Sequence, residues 1–342
     1  MLIITRGGGD FATGHLHRQL YLLRELETGL GERDLSPQAV ILANPHPVCY
    51  RFFTGAFSTS LPCSIHFADT PQKLLDSTGR SRFDLVITDL LELDPPLMDM
   101  LSDLPSLPKV IFDDPRPLPF PALRINSLVI PPEIPSGESS RWKVGNRYLV
   151  LNPVLREIEP PPAQERRGVV ATFGGSDPHH LSEALLELAR KEEESFAPLL
   201  PLTLVVGPGK VLEGLQPPPL VDLLISPPDF HRRLAGASLA ITTGGITAFE
   251  AACLGTPLVG IARSGHELAN LRRLSGAAIV IDATCRLDRP VEVLRETLLA
   301  ALELLHEPAR LAQMGSWGRS QVDPLGARRV WQEILSWMKE GG

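Results

Sequence analysis

Paired cysteines are missing from this sequence. Its four cysteines, Cys49, Cys63, Cys253 and Cys285, share no short spacing of the zinc or thioredoxin kind, and their apolar or mixed neighbours read as reduced thiols. That excludes a disulfide scaffold and offers no structural metal. A basic excess is missing too: 33 Lys and Arg stand against 40 Asp and Glu, a net charge of −7. No cationic stripe is present to neutralise a nucleic-acid backbone, so DNA and RNA are not expected partners. No apolar run approaches the ~18–20 residues of a membrane span, and no charged-then-apolar leader opens the chain. A soluble, cytoplasmic protein without an integral membrane segment is expected. Short-period repeats and low-complexity tracts are also absent.

What is present is length, proline and alternation. The 342 residues suffice for two domains, each burying its own core. The 33 prolines cluster between periodic segments, as in Pro95-Pro96, Pro131-Pro132, Pro160-Pro161-Pro162 and Pro217-Pro218-Pro219, where loops and strand edges tolerate them. The opening third reads as βαβ: Leu2–Thr5, then leucines at helical spacing from Leu16 to Leu30, then Ala39–Ala43. Further strands are predicted at Ser64–Phe67, Asp84–Thr88, Lys109–Phe112 and Ser127–Ile130, with helices at Gln72–Asp76 and Leu97–Leu101. Uninterrupted Val/Ile/Leu runs of this kind suit a parallel sheet buried on both faces.

A low-periodicity, proline-rich stretch after Tyr148 puts a domain boundary near residue 150, giving domains at 1–150 and 151–320 and a terminal helical segment at 321–342, a candidate to return to the first domain. The second domain restarts the alternation. Strands are predicted at Gly168–Phe173, Leu202–Val206, Val221–Ile225, Ser238–Thr242, Pro257–Ala262 and Ala278–Ile281, and helices from Pro178, near Phe230–Ala235, from Thr247 and at Glu267–Leu274. The fold class is α/β, with two doubly wound parallel sheets.

Three glycine turns follow strands: Gly7-Gly8-Gly9, Gly174-Gly175-Ser176-Asp177 and Gly244-Gly245-Ile246-Thr247. In open α/β sheets such turns sit at the carboxyl edge, where backbone N–H groups and helix N-termini suit a diphosphate. Geometry alone is the competing explanation for each turn. The first also fits the dinucleotide glycine pattern, but the second strand ends in Asn44-Pro45-His46-Pro47 without the ribose-binding acid that NAD or FAD requires.

His15, opening the first helix, is a candidate base or simply a packed residue. His17 cannot share a metal with it, because residues two apart diverge on a helix. His179-His180 fail on adjacency, and Asp177 reads as a cap. Asp113-Asp114 raises a metal-bound diphosphate as a lesser alternative. Glu250 is the only charge between Ala237 and Ala262. It belongs either to a capping box, Thr247-Ala248-Phe249-Glu250, or to a carboxylate gripping ribose hydroxyls.

Taken together, "TTGGITAFEAACLGTPLVGIA", "FGGSDP" and "ATGHLHR" resemble the PseG/SpsG family of nucleotide-sugar hydrolases and spore-coat polysaccharide relatives, itself similar to the MurG glycosyltransferases. The resemblance covers nearly the whole chain, is strongest over 168–282 and extends to "VDPLGARRV". It implies a GT-B fold, two facing Rossmann-like domains with a central crevice. It also implies a UDP-sugar as the small-molecule partner, no metal or cofactor, and a monomer or weak dimer.

Residue by residue, the resemblance implies that His15 is the general base within Gly14-His15-Leu16-His17-Arg18, with Gly14 and Arg18 beside the substrate. Gly174, Gly175 and Ser176 lie near the diphosphate, Gly244, Gly245 and Thr247 form the second phosphate turn, and Glu250 holds the ribose. Where the family carries Asn-Gln this chain has His266-Glu267, which brings a negative charge toward an anion, while Asn270 fits. The family's Asp-His-Tyr appears as Asp89-Leu90-Leu91, and its opening Arg-x-Asp keeps only Arg6. The expected activity is hydrolysis of a UDP-sugar. Transfer of the sugar to an acceptor and non-catalytic nucleotide-sugar binding are the alternatives.

Overall fold

The computed structural model describes residues 1–7, 13–27, 38–56, 59–60, 62–68, 83–90, 92–175, 177–207 and 217–340. Gly8 to Ala12 of the first glycine turn, Leu30, the helix predicted at Gln72–Asp76, Leu91 and Ser176 lie outside these residues. The chain divides into two compact units, Met1–Pro153 with Pro324–Gly342, and Val154–Asp323.

The first unit is built on strands β1 (Leu2–Thr5), β2 (Ala39–Ala43), β3 (Cys63–Phe67), β4 (Val86–Asp89), β5 (Lys109–Phe112), β6 (Leu123–Asn126) and β7 (Trp142–Val144). They pair in the order β3-β2-β1-β4-β5-β6-β7, every pair parallel. Both faces are covered, which is why the central strands are apolar at successive positions. Ile3, Ile41, Ile87 and Phe112 pack with Leu16, Leu20 and Leu23 of the helix Gly14–Glu27, while Leu2, Ile4, Val86 and Ile111 pack with Leu97 and Leu101 of the helix Pro95–Ser102.

The strand predicted at Ser127–Ile130 is displaced. The sheet takes the preceding Leu123–Asn126, because the backbone N–H groups of Ser127, Leu128 and Val129 all turn to Asp113 Oδ1, at 2.8, 2.9 and 3.1 Å. Donors spent on a carboxylate are not available to a ladder.

The last helix, Gly326–Lys339, packs on the helix that carries His15. Trp331 is 2% exposed and its indole N–H donates to Leu22 O at 2.7 Å, and Arg328 Nε reaches Glu25 Oε1 at 3.1 Å. Only glycine fits at its start, since a Cβ on Gly326 would fall 1.9 Å from Leu149 O.

The second unit carries β8 (Val169–Thr172), β9 (Leu202–Val206), β10 (Val221–Ile225), β11 (Leu239–Thr243), β12 (Leu258–Ala262) and β13 (Ala278–Asp282), ordered β10-β9-β8-β11-β12-β13 and parallel throughout. In each sheet the order reverses once, between β1 and β4 and between β8 and β11. Ligands of open α/β sheets bind at the carboxyl ends of such reversals. The helix predicted from Pro178 begins instead at Leu181, because Asp177 at φ 41° caps it across an intervening turn, accepting from Leu181 N (3.1 Å) and Ser182 N (2.8 Å). Among the described residues no helix is long and apolar enough to cross a membrane.

Trp331→Ala removes a buried indole and its hydrogen bond from the brace behind His15. We expect it to lower unfolding free energy by about 3–5 kcal/mol in urea denaturation. A loss below about 1 kcal/mol would show that the helix contributes little to the first unit.

Candidate functional site

At the first reversal, parallel register sets Thr5 beside Asp89. The helix from Gly14 then presents His15, Arg18 and Gln19 on one face, as spacings of three and four dictate. All three converge on the Asp89 carboxylate. His15 Nδ1 lies 2.5 Å from Oδ1, Arg18 Nε donates to Oδ2 at 2.8 Å, and Gln19 Nε2 donates to Oδ2 at 2.8 Å. Arg18 Nη2 also reaches Oδ1, and Nη1 extends to Asp113 Oδ2. Asp113, in the left-handed region at φ 52°, balances that charge with the three backbone donors of 127–129.

Burial alone would raise the Asp89 pKa, yet the charges of Arg18 and then His15 outweigh it and hold the carboxyl well below the usual range. Burial likewise works against the Arg18 charge, and Asp89 and Asp113 overcome it, raising Arg18 above its ordinary value. An ionised carboxylate only accepts, so the His15 hydrogen sits on Nδ1. Nε2 is thereby left as an acceptor when the ring is neutral, the form a general base needs.

Arg18, expected beside the substrate, is instead 1% exposed and spends its guanidinium on two carboxylates. Its role is to keep Asp89 ionised. The two aspartates considered for a metal-bound diphosphate are committed as well, Asp113 as above and Asp114 to Arg116 and Leu93 N. His17 Nδ1 faces Thr13 O at 2.9 Å and its ring packs on Phe52. Among the described residues no group of three or more His, Cys, Asp or Glu side chains is placed to hold a metal. Gly7 is tied to the end of β2 by a reciprocal pair with Asn44, Gly7 N to Oδ1 at 2.9 Å and Nδ2 to Gly7 O at 3.1 Å. Asn44 thus fills the place where a dinucleotide fold keeps its ribose acid.

At the second reversal, Gly174 follows β8 at φ +90°, a conformation that favours glycine, and Gly175 lies so close to Gly207 that a Cβ there would meet its Cα at 2.4 Å. Gly244 follows β11 with Glu267 O 2.4 Å from where its Cβ would be. Gly245 is the N-cap of the helix Ile246–Leu254, with no side-chain cap. Thr247 is therefore inside the helix, and the predicted capping box does not form. Glu250, 4% exposed, lies with Oε1 3.1 Å from His231 Nε2.

A capping arrangement forms one helix later. Ser264 Oγ accepts from Glu267 N, and the Glu267 carboxylate accepts from Arg263 N (2.9 Å), Nε (3.1 Å) and Nη2 (2.6 Å). The negative charge expected from Glu267 is therefore neutralised by Arg263, a residue the sequence reading did not single out. Arg263 Nη1 also points to Phe173 O at 3.4 Å, reaching from the end of β12 to the end of β8. Burial first and the Arg263 charge next push His179 below its ordinary pKa. Asn270, 1% exposed, donates to Gly244 O at 3.0 Å and accepts from Arg273, so it braces the turn. His266 is exposed beside Ser264 Oγ, at 3.1 Å.

No family model matches the chain, and no curated protein matches it. Solved structures do. MurG of Acinetobacter baumannii is similar over 98% of this chain and 99% of its own, at 16% identity and a TM-score of 0.58. The spinosyn rhamnosyltransferase SpnG, complexed with thymidine diphosphate, is similar over 97% and 99%, at 16% and 0.57. UDP-GlcNAc 2-epimerase of Neisseria meningitidis, bound to UDP-GlcNAc, is similar over 98% and 100%, at 11% and 0.59.

The fold matches that of the GT-B glycosyltransferases. In this GT-B chain both strand reversals carry the polar side chains and glycine turns just described.

Two outcomes test the buried network. Arg18→Met leaves two buried carboxylates without their cation and is expected to cost about 3–5 kcal/mol of stability. An unfolded Asp titrates near pH ~3.9, and folded Asp89 is held below that. Its contribution is therefore complete above the unfolded value and is lost as pH falls through the folded one. Stability measured by urea unfolding against pH should fall less steeply in acid for Asp89→Asn than for the wild type. Superimposable acid limbs would contradict an ionised Asp89.

Proposed function

We propose that this protein is a glycosyltransferase that takes a sugar from a nucleoside diphosphate donor, UDP-sugars first among them, and passes it to an acceptor hydroxyl. The observation that carries the reading is the His15–Asp89 pair at the first reversal, where a buried, ionised carboxylate orients an imidazole with Nε2 free to accept a proton. Its support is the whole-length likeness to MurG and SpnG, the latter complexed with thymidine diphosphate.

In this reading the acceptor oxygen attacks the anomeric carbon while the bond from that carbon to the diphosphate oxygen breaks. The acceptor proton passes to His15 Nε2, and Asp89 stabilises the imidazolium. The bond electrons leave with the diphosphate, whose charge is met by backbone N–H groups at Gly174-Gly175 and at the helix start after Gly245, which has no side-chain cap. Glu250, with His231 against it, takes the ribose hydroxyls. Thr247 contributes its place in the first turn.

Hydrolysis is the second reading, favoured by Gly14-His15 and the Gly174-Gly175-Ser176-Asp177 turn, which resemble the PseG/SpsG hydrolases. There water replaces the acceptor and the same transfers give free sugar.

Release of UDP from a panel of UDP-sugars, with and without acceptor alcohols, tests the reading. His15→Ala is expected to lower kcat by ~10²–10⁴-fold, with donor KM nearly unchanged because His15 does not hold the nucleotide. A glycoside product marks transfer and free sugar marks hydrolysis. Release at the uncatalysed background rate by both wild type and His15→Ala would favour a binding protein without catalysis, and equal release above background would remove His15 from the base role.

A further inference from the structure

Three arginines are buried among the described residues, Arg18, Arg124 and Arg166. Arg18 has its two aspartates. Arg166 pairs with no carboxylate among the described residues but makes four hydrogen bonds, with all three of its nitrogens donating. It lies at the C-terminal end of the helix Ile246–Leu254 and donates to Leu254 O (3.0 Å), Gly255 O (2.5 Å), Thr256 Oγ1 (3.1 Å) and Pro161 O (3.1 Å). The negative end of the helix dipole supplies the charge.

Arg124 has neither arrangement. It is 4% exposed, with its guanidinium 4.3 Å from the centroid of the Trp142 ring. Nη2 donates to Arg116 O at 2.9 Å and to Asp114 O, but among the described residues Nε is buried without an acceptor, Nη1 makes no hydrogen bond, and no carboxylate pairs with the group. Burial brings its pKa down to about 10, against the raising effect of Asp114 and Glu138. A buried cation with unused donors is costly, and the planar fork of a guanidinium matches an oxyanion. Arg124 also lines a cavity of about 160 Å³, together with Leu118, Phe120, Glu138 and Arg141, on the segments that lead into β6 and β7. At ~30 Å³ per water, that volume holds about five waters and so admits a phosphate or a short carboxylate. None of its lining residues belongs to the His15 network or to the glycine turns.

We propose that this cavity is a second ligand site, for a small molecule bearing a phosphate or carboxylate group, which Arg124 and Arg141 bind through charge-assisted hydrogen bonds. Glu138 opposes the ligand and limits its affinity. The apolar flank of Leu118 and Phe120 accommodates a short organic remainder.

The test is a titration of the full chain with inorganic phosphate and, separately, with malonate at constant ionic strength, following the indole N–H resonance of Trp142 by NMR. Assignment through Trp142→Phe separates this readout from phosphate binding at the glycine turns. A saturable shift is expected with one probe or both, lost in Arg124→Met, weakened about tenfold in Arg141→Gln and tightened roughly two- to fivefold in Glu138→Gln. The last two variants keep the test open if Arg124→Met does not fold. Saturation by phosphate alone assigns a phosphoryl ligand, and saturation by malonate alone a carboxylate. A shift that never saturates, or affinities unchanged in both Arg141→Gln and Glu138→Gln, would overturn the proposal.

Discussion

Burying the charge of Asp89 constrains the whole first unit. A carboxylate removed from water is tolerable only when donors and a countercharge surround it, and Asp89 obtains these from one helix face, through His15, Arg18 and Gln19. Arg18 also holds Asp113, and Asp113 is in turn satisfied by the N–H groups of 127–129. Two buried carboxylates joined by Arg18 thereby decide where β6 stops, through Asp113, and which way the first helix faces and which nitrogen of His15 carries hydrogen, through Asp89. The final helix, anchored by Trp331, closes over the far side of that same helix.

The second unit solves a different problem by a different means. Its glycine turns leave backbone donors at the strand ends, and neighbouring side chains hold the turns in shape without filling them. Asn270 grips Gly244 O, the Glu267 backbone packs where Gly244 has no side chain, and Asp177 caps the helix past Gly174-Gly175. Arg263 neutralises Glu267 and reaches the carbonyl after β8, so the pair brings no net charge to the edge where an anion is proposed to bind. Neutralisation of Glu267 removes the objection that an acid at that position would repel a diphosphate.

Much of the fold was legible because strands buried on both faces leave uninterrupted apolar runs. Lys109–Phe112, Leu202–Val206 and Val221–Ile225 have the bounds read from the sequence. β6 was not legible, because Arg124 and Asn126 break its apolar run and are accommodated only by tertiary partners. The site was legible in part. By position alone His15, in the first turn of its helix, read as a base or a packed residue, and the resemblance implied the base; its partner Asp89 lies 74 residues away and only the sheet order joins them. The Thr247-to-Glu250 pattern misled because Gly245 takes the cap first, while Ser264 with Glu267 has the same spacing and does form a cap. His231 beside Glu250 leaves no sequence signal, since the two come from separate helices.

Asp89 dictates the hydrogen position on His15. Long-range nitrogen–proton correlation NMR of the imidazole, at a pH where the ring is neutral, measures this directly. The wild type is expected to carry hydrogen on Nδ1 and to leave Nε2 bare. Hydrogen on Nε2 would contradict it.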